Sequence, residues 1–309
     1  MSQSAATALA MPDADGDPAA RRMLLVFNPT AGRRIGRLDA ILMALRTRGW
    51  DVTLQETTGP ADATRIARGV GGKFDVLAVA GGDGTLNEAA NGLVHVMERA
   101  PAMAVLPFGT ANVLAHEIGL GTDEARVTAA AAAGRPTQIF LGQANDRRFL
   151  LMAGVGFDAA VVAGVGAKLK RRLGKGAYVW RMLVELFSYS FPAFKVTVDG
   201  TSYVCASAIV AKGHFYGGRF VCAPEARLTD PDFQVCLFMS AGRWAVVRYA
   251  VALGLGCLHK LSDIRLLRGR DIRIEGPVGA PVQGDGDIIA YLPAAMSIVP
   301  TPISVLYPS

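Results

Sequence analysis

The string Gly81-Gly82-Asp83-Gly84-Thr85-Leu86-Asn87-Glu88 follows the apolar run Phe74–Ala80 and precedes a stretch with helical spacing, Thr85–Val96. Glycine lets a backbone approach a phosphate closely and turn N–H groups toward it. A helix opening directly afterwards adds the positive end of its dipole. The string therefore reads as a phosphate loop. It is not the GxxxxGK[ST] loop, which the chain lacks. Asn28-Pro29-Thr30-Ala31-Gly32 and Pro107-Phe108-Gly109-Thr110-Ala111-Asn112 each follow a short apolar run as well. Either alone is a common turn. Loops that follow the strands of a parallel sheet, however, converge on one crevice at its carboxyl edge. Far along the chain, Asp285-Gly286-Asp287 puts two carboxylates on a glycine turn. One can face substrate and the other metal or water, or the triplet is simply a type I′ hairpin turn.

The elements that must position these residues change character along the chain. From Arg22 to about residue 136, strands and helices alternate: Met23–Phe27, a helix carrying Leu38, Ile41, Leu42 and Leu45, then Val52–Leu54, Ala61–Arg68, Phe74–Ala80, Thr85–Val96 and Met103–Leu106. Such βαβα alternation predicts a parallel sheet covered on both faces, a doubly wound α/β domain. After about Thr137 strands dominate: Phe149–Ala153, Phe194–Val198, Tyr203–Ala211, Gln234–Phe238, Leu261–Leu266 and Asp271–Glu275. Two helices interrupt them, Gly176–Ser190 and Arg243–Leu258. The expected organisation is a disordered tail over 1–21, an α/β nucleotide-binding domain over 22–136, and a β-rich substrate domain over 137–296. A last strand within 297–309, Ser297–Leu306, returns to either domain.

Composition limits the partners. With 51% hydrophobic and 19% charged residues, a chain of 309 residues can bury two cores. The formal charge of +6 suits an anionic partner, whether nucleotide, nucleic acid or acidic membrane. Nucleic acid has no supporting motif. The four cysteines stand far apart with no CxxC pair, which points to reduced thiols in a cytoplasmic protein. Mean hydropathy is +0.31, yet the longest apolar candidate, Trp244–Leu258, is interrupted by Arg248 and falls short of the roughly 18 to 20 residues of a spanning helix. The first twenty residues do not read as a signal peptide. Lys168, Lys170, Arg171, Arg172 and Lys175 lie beside Tyr178, Trp180 and Leu183, either as a solvated loop or as a patch for an anionic lipid surface.

Taken together, the Asn28–Gly32, Gly81–Glu88 and Pro107–Asn112 strings resemble the three nucleotide loops of the diacylglycerol kinase catalytic domain family, within which soluble bacterial lipid kinases are the nearest in kind. The resemblance continues through Gly154-Val-Gly-Phe-Asp158, Tyr216-Gly-Gly218, Pro224-Glu-Ala226, Asp230 and Asp285-Gly-Asp287, so it spans the chain from about residue 22. It implies an N-terminal α/β nucleotide domain and a C-terminal β-sandwich-like domain, with the active site between them. ATP would be contacted by Asn28, Pro29, Thr30, Ala31, Gly32, Thr57, Gly81, Gly82, Asp83, Gly84, Thr85, Leu86, Asn87 and Thr110, with Thr58 as the neighbour that leaves the Thr57 register open. The resemblance also implies Mg²⁺. A structural ion would be held at Arg227, Asp230 and Asp232 through a carboxylate and main-chain carbonyls, where Asp230-Pro231 replaces the usual Asp-Gly. Asp285-Gly-Asp287 stands where the family has Asp-Gly-Glu, the source of the general base; by position that base is Asp287, with Asp285 as the other candidate and Asp83 steering catalytic Mg²⁺.

The function so implied is ATP-dependent phosphorylation of a lipid hydroxyl, of diacylglycerol or a related lipid, by a cytoplasmic homo-oligomer making peripheral contact with the inner membrane face. Two other readings compete. A NAD kinase shares the Gly-Gly-Asp-Gly-Thr loop and a related fold. A nucleotide- or lipid-binding regulator without transferase activity is compatible with the altered Asp287 and Pro231.

Overall fold

The computed structural model describes residues 21–31, 35–165 and 175–309. Gly32, the 168–172 part of the basic cluster and residues 1–20 of the tail lie outside the described residues.

Strands β1 (Arg21–Phe27), β2 (Trp50–Glu56), β3 (Val76–Gly81) and β4 (Ala102–Pro107) pair in parallel in the order β2-β1-β3-β4. Every residue of β3, Val-Leu-Ala-Val-Ala-Gly, is buried, as a central strand covered on both faces requires. Helices α1 (Ile35–Thr47), α2 (Asp62–Arg68), α3 (Asp83–Leu93), α4 (Val113–Glu117) and α5 (Glu124–Ala133) connect and cover this sheet. The connection from β1 leads to one side of the sheet and that from β3 to the other. This is the switch point at which open α/β sheets bind ligands. The chain's last strand, β20 (Ile303–Tyr307), lies parallel to β4 in the same sheet and pairs antiparallel with β5 (Arg135–Ile139). The continuous strand expected over Ser297–Leu306 is thus two elements, broken at Pro300-Thr301-Pro302, where two residues lack an N–H for the ladder.

The second domain is an antiparallel sandwich. One sheet runs β10 (Thr201–Cys205), β9 (Phe194–Val198), β16 (Ile272–Glu275), β19 (Ala294–Ile298), β6 (Gly142–Ala144), β7 (Arg147–Phe149). The facing sheet runs β15 (Ile264–Gly269), β14 (Phe233–Phe238), β11 (Ser207–Ala211), β8 (Met152–Val155), β17 (Pro281–Gly284), β18 (Asp287–Tyr291). Phe149, Phe194, Phe233, Ile274 and Met296 fill the space between them, with Phe149 stacked on Phe233 at 5.9 Å. A short hairpin, β12 (Phe215–Tyr216) and β13 (Phe220–Val221), and helices α6 (Phe157–Gly164), α7 (Lys175–Ser188) and α8 (Arg243–Gly254) complete the domain.

Two strands read as continuous from the sequence are each divided between the sheets. Tyr203–Ala211 breaks at Ala206 into β10 and β11, and Phe149–Ala153 breaks at Leu150-Leu151 between β7 and β8. The runs stay apolar through each bend, although Val204 in β10 is exposed, so hydropathy carries no mark of the corner. Leu261 ends a single 3₁₀ turn, Leu258–Lys260, so β15 starts only at Ile264. No helix among the described residues is long and apolar enough to cross a membrane.

Candidate active site

The three glycine-bearing loops leave β1, β3 and β4 side by side and are bonded to one another. The Asn28 N–H donates to the Ala80 carbonyl at 2.9 Å, and the Phe108 N–H to the Gly81 carbonyl at 3.0 Å. The Asn28 amide donates to Thr85 Oγ1 at 2.9 Å while its oxygen accepts from the N–H and hydroxyl of Thr30. Asn28 thus ties the first loop to the first turn of α3 and shapes Pro29–Ala31 into one 3₁₀ turn. Two glycines are sterically required. A Cβ on Gly109 would stand 2.5 Å from the Gly82 Cα, and one on Gly81 would stand 2.6 Å from the Thr85 Cβ.

The first-turn N–H groups of α3 have no partner within the helix and lie at its positive end, a ready anion site at the switch point. Asp83 is the first residue of that helix, and its Oδ1 accepts from the Leu114 N–H at 3.1 Å. Burial raises its pKa against the pull of that bond. Thr57 and Thr110 border the same edge, and the Thr57 N–H is bonded to the Phe27 carbonyl at 2.9 Å. The neighbouring Thr58 hydroxyl donates to Asp62 at 3.0 Å. Leu86 does not belong to the contact surface: its side chain is fully buried and its N–H is bonded to the Gly82 carbonyl at 3.1 Å. Glu88 accepts from the Ala61 N–H at 3.0 Å and so anchors the start of α2.

The second domain brings its Asp-Gly-Asp hairpin to this edge. Asp285 and Gly286 form the two-residue turn between β17 and β18 with φ of 51° and 86°, the pair of positive values of a type I′ turn. The hairpin and the site are therefore one feature. The Asp285 carboxylate accepts three main-chain N–H groups, from Leu150 at 2.6 Å, Leu151 at 2.9 Å and Met152 at 3.0 Å. These belong to the corner that divides β7 from β8, so the carboxylate satisfies the donors that the break leaves without a ladder partner. Burial pushes the Asp285 pKa up to about 6, the three N–H groups pull it down, and the nearby charge of Asp83 adds to the rise. The two carboxylates, from different domains, thus feel one another across the crevice. Asp287, first residue of β18, is exposed.

Beneath the hairpin, the Gly286 N–H donates to Gln283 Oε1 at 3.1 Å, and Gln283 Nε2 donates to Asp158 at 2.7 Å. The Tyr216 hydroxyl donates to the other Asp158 oxygen. Burial raises the Asp158 pKa, against the hydrogen bonds from Tyr216 and Gln283. Asp158 and Tyr216 lie within strings that the sequence singles out without giving them a task; here they support the turn that carries Asp285 and Asp287. His214 Nδ1 pairs with Glu117 Oε1 at 2.6 Å, and Glu117 also accepts the main-chain N–H groups of His214 and Phe215, joining α4 to the second domain. The Glu117 bond raises the His214 pKa.

The loop of Arg227, Asp230 and Asp232 departs from the ligand set expected for structural Mg²⁺. Its three main-chain carbonyls close on Lys212 Nζ: Arg227 at 3.3 Å, Asp232 at 3.0 Å and Asp230 at shorter range. Its two carboxylates turn to Arg268 Nη2, Asp230 at 2.8 Å and Asp232 at 3.0 Å. Burial lowers the Lys212 pKa to about 8 despite the attraction of Asp232 and Asp230. Among the described residues no cluster of three or more His, Cys, Asp or Glu side chains gathers that could hold a metal.

A two-domain fold with a glycine-loop crevice facing a carboxylate hairpin is an arrangement suited to phosphoryl transfer. The profile of the diacylglycerol kinase catalytic domain matches residues 22–144, and that of the YegS C-terminal NAD kinase beta sandwich-like domain matches residues 152–307. The chain belongs to the diacylglycerol kinase family of lipid kinases. It is 29% identical over 283 residues to a diacylglycerol kinase of Bacillus subtilis (strain 168), covering 88% of this chain and 92% of that protein. It is 28% identical over 300 residues to one of Mycobacterium tuberculosis (strain H37Rv), covering 93% and 95%. A crystal structure of a diacylglycerol kinase from Bacillus anthracis str. Sterne superposes with a TM-score of 0.75 at 23% identity, over 94% of this chain and 98% of that one.

Proposed function

We propose that this lipid kinase transfers the γ-phosphate of ATP to the hydroxyl of diacylglycerol or a closely related glycerolipid. The observation that carries the reading is the juxtaposition of the three bonded loops with the Asp285 hairpin, close enough for the charge of Asp83 to act on Asp285. Phosphoryl transfer needs an aligned hydroxyl, a group to take its proton, and neutralisation of charge on the phosphates. The α3 N-terminus with Gly82, Gly84 and Thr85 supplies main-chain donors to the phosphates, while Asn28, Thr57 and Thr110 border the nucleotide. Asp285, with both oxygens occupied by N–H groups, anchors the hairpin, and exposed Asp287 takes the proton of the acceptor hydroxyl. Catalytic Mg²⁺ fits the crevice, because a pair of mutually repelling carboxylates is relieved by a hard divalent cation. Asp83 would hold it, and when bound the ion neutralises charge developing on the phosphates.

The acceptor side also suits a lipid. Trp180, Leu183 and Phe187 on α7, Trp244, Val247 and Val251 on α8 and Leu255 at its C-cap recur at helical spacing and are all exposed. Between the two helices opens a cavity of about 420 Å³ lined in part by Phe187, Tyr189, Phe191 and Trp244. Two apolar stripes beside the exposed Arg243 and Arg248 match the face an interfacial enzyme lays on a bilayer. The test is transfer of label from γ-labelled ATP with Mg²⁺ to vesicle-borne diacylglycerol, sphingoid base or phosphatidylglycerol, and to NAD. Label in diacylglycerol is expected; label confined to NAD, or to none of them, overturns the reading.

A further inference from the structure

We propose that Lys212 is the built-in cation of the 227–232 loop, so that this chain holds with an ammonium group the oxygen cage expected to carry a structural Mg²⁺. An ammonium has three N–H donors, and here each meets one main-chain carbonyl, of Arg227, Asp230 and Asp232. The side chain is fully buried, with 0% of its surface exposed. A buried cation is tolerated only when its hydrogen bonds are complete, and these are. Mg²⁺ sits about 2.0–2.1 Å from its oxygens and Ca²⁺ about 2.3–2.6 Å. Either ion, centred among the same three carbonyls, would overlap Nζ.

The carboxylates give the same answer independently. The two acidic side chains available to a metal at this loop, Asp230 and Asp232, both face Arg268 from the neighbouring strand β15. The loop's neutral oxygens are thus taken by one cation of the chain and its charged oxygens by another. Pro231 fits this arrangement, since none of these contacts uses an N–H at that position.

The cage also touches the catalytic edge. The Lys212 and Gly213 N–H groups donate to the Leu151 carbonyl at 2.8 and 3.2 Å, while the Leu151 N–H is held by Asp285. A single peptide segment therefore joins the lysine to the Asp285 hairpin. Lys212 is a positioning residue whose stem and head fix the loop and the corner together.

The test uses the full-length, nucleotide-free protein. Elemental analysis after gel filtration should find far less than one Mg²⁺ or Ca²⁺ per chain, and the thermal midpoint should move by less than about 1 °C between EDTA and millimolar Mg²⁺. Lys212→Met keeps the length of the stem and removes the three donors. It should lower the midpoint by about 5 °C or more and admit protease to the 224–232 segment. Stoichiometric divalent metal in the wild type, or a midpoint that falls by several degrees in EDTA, overturns the proposal, as does a Lys212→Met protein as stable and protease-resistant as the parent. Should Lys212→Met not fold, the wild-type metal content and EDTA response decide alone.

Discussion

Two regions of this molecule use the same material, the dipoles of irregular backbone, with opposite sign and for opposite ends. At the carboxyl edge of the parallel sheet, loops pressed together at Gly82 and Gly109 present N–H donors and a helix N-terminus to an anion that arrives from solution. At residues 227–232, a loop presents carbonyl acceptors, and the chain's own Lys212 closes on them. The first region can bind and release; the second is finished when the protein folds. The Asp285 hairpin lies between these extremes. Three N–H groups in a row, at Leu150 to Met152, form a donor cradle like the first, yet its anion is a side chain. Dipoles that meet a side chain build the scaffold, and dipoles turned to the crevice do the chemistry.

The comparison breaks most easily at Asp83. Asp83→Asn keeps an oxygen for the Leu114 N–H and removes only charge, so the fold should survive while transfer falls roughly 100- to 1,000-fold. Near-wild-type turnover by this variant would mean that the crevice is not the phosphate site.

The hairpin carboxylates should separate cleanly. Asp287→Asn should lower kcat about 100-fold or more with an unchanged thermal midpoint, as loss of a general base does. Asp285→Ala leaves three main-chain donors without their acceptor and should destabilise the protein by about 2–4 kcal/mol, visible in chemical unfolding. If Asp287→Asn destabilised the chain and Asp285→Ala did not, the two roles would be exchanged.

Glycines at the crevice sharpen the distinction between scaffold and ligand site. Gly109→Ala forces two backbones apart and should lower both the thermal midpoint and ATP affinity. A Cβ on Gly84 meets nothing within 4 Å, and the position lies in the first turn of α3. Gly84→Ala should therefore hold or raise stability by about 0.5–1 kcal/mol while weakening ATP binding up to tenfold. Unchanged ATP affinity in Gly84→Ala would show that the glycine serves no close approach to phosphate.

How much of this was legible from residues alone follows the same division. The α/β architecture and the three loops were readable because a buried parallel strand ending in glycine leaves a contiguous trace, as Val76–Gly81 does. The antiparallel sandwich was readable as a class, but its corners at Ala206 and Leu150 were not, since the sequence stays apolar through each bend. Asp285 and Asp287 were found, yet their partners were not, because Leu150–Met152 act through main-chain N–H groups that any sequence would supply. Lys212 left one trace, a lysine ending an apolar strand, but its contacts are 15 to 20 residues away in the chain. At Arg227, Asp230 and Asp232 the sequence points to an oxygen cage, but it does not show that the Lys212 ammonium enters it from a neighbouring strand.

The smallest expected effect is on pH dependence, and it bears on how the two domains communicate. Asp285 is half-buried at the domain junction, and its desolvation, with the charge of Asp83 adding to it, pushes its pKa up to about 6. In the free enzyme kcat/KM should climb about tenfold per pH unit up to about pH 6 and then level, because only the ionised carboxylate accepts all three N–H groups and holds Asp287 in place. Acid unfolding would mimic this limb, but the sign excludes Asp285 as its source. A group whose folded pKa is raised contributes stability that is complete below its unfolded pKa near 4 and is lost as pH rises through 6. The activity limb and this group's stability term therefore run in opposite directions, and thermal midpoints taken across pH 4.5–7 separate them. Asp83→Asn removes one negative neighbour and should shift the Asp285 titration, followed by ¹³C NMR of its carboxyl carbon, toward lower pH. A titration unmoved by that substitution would mean that the phosphate loop and the hairpin do not face one another across the crevice.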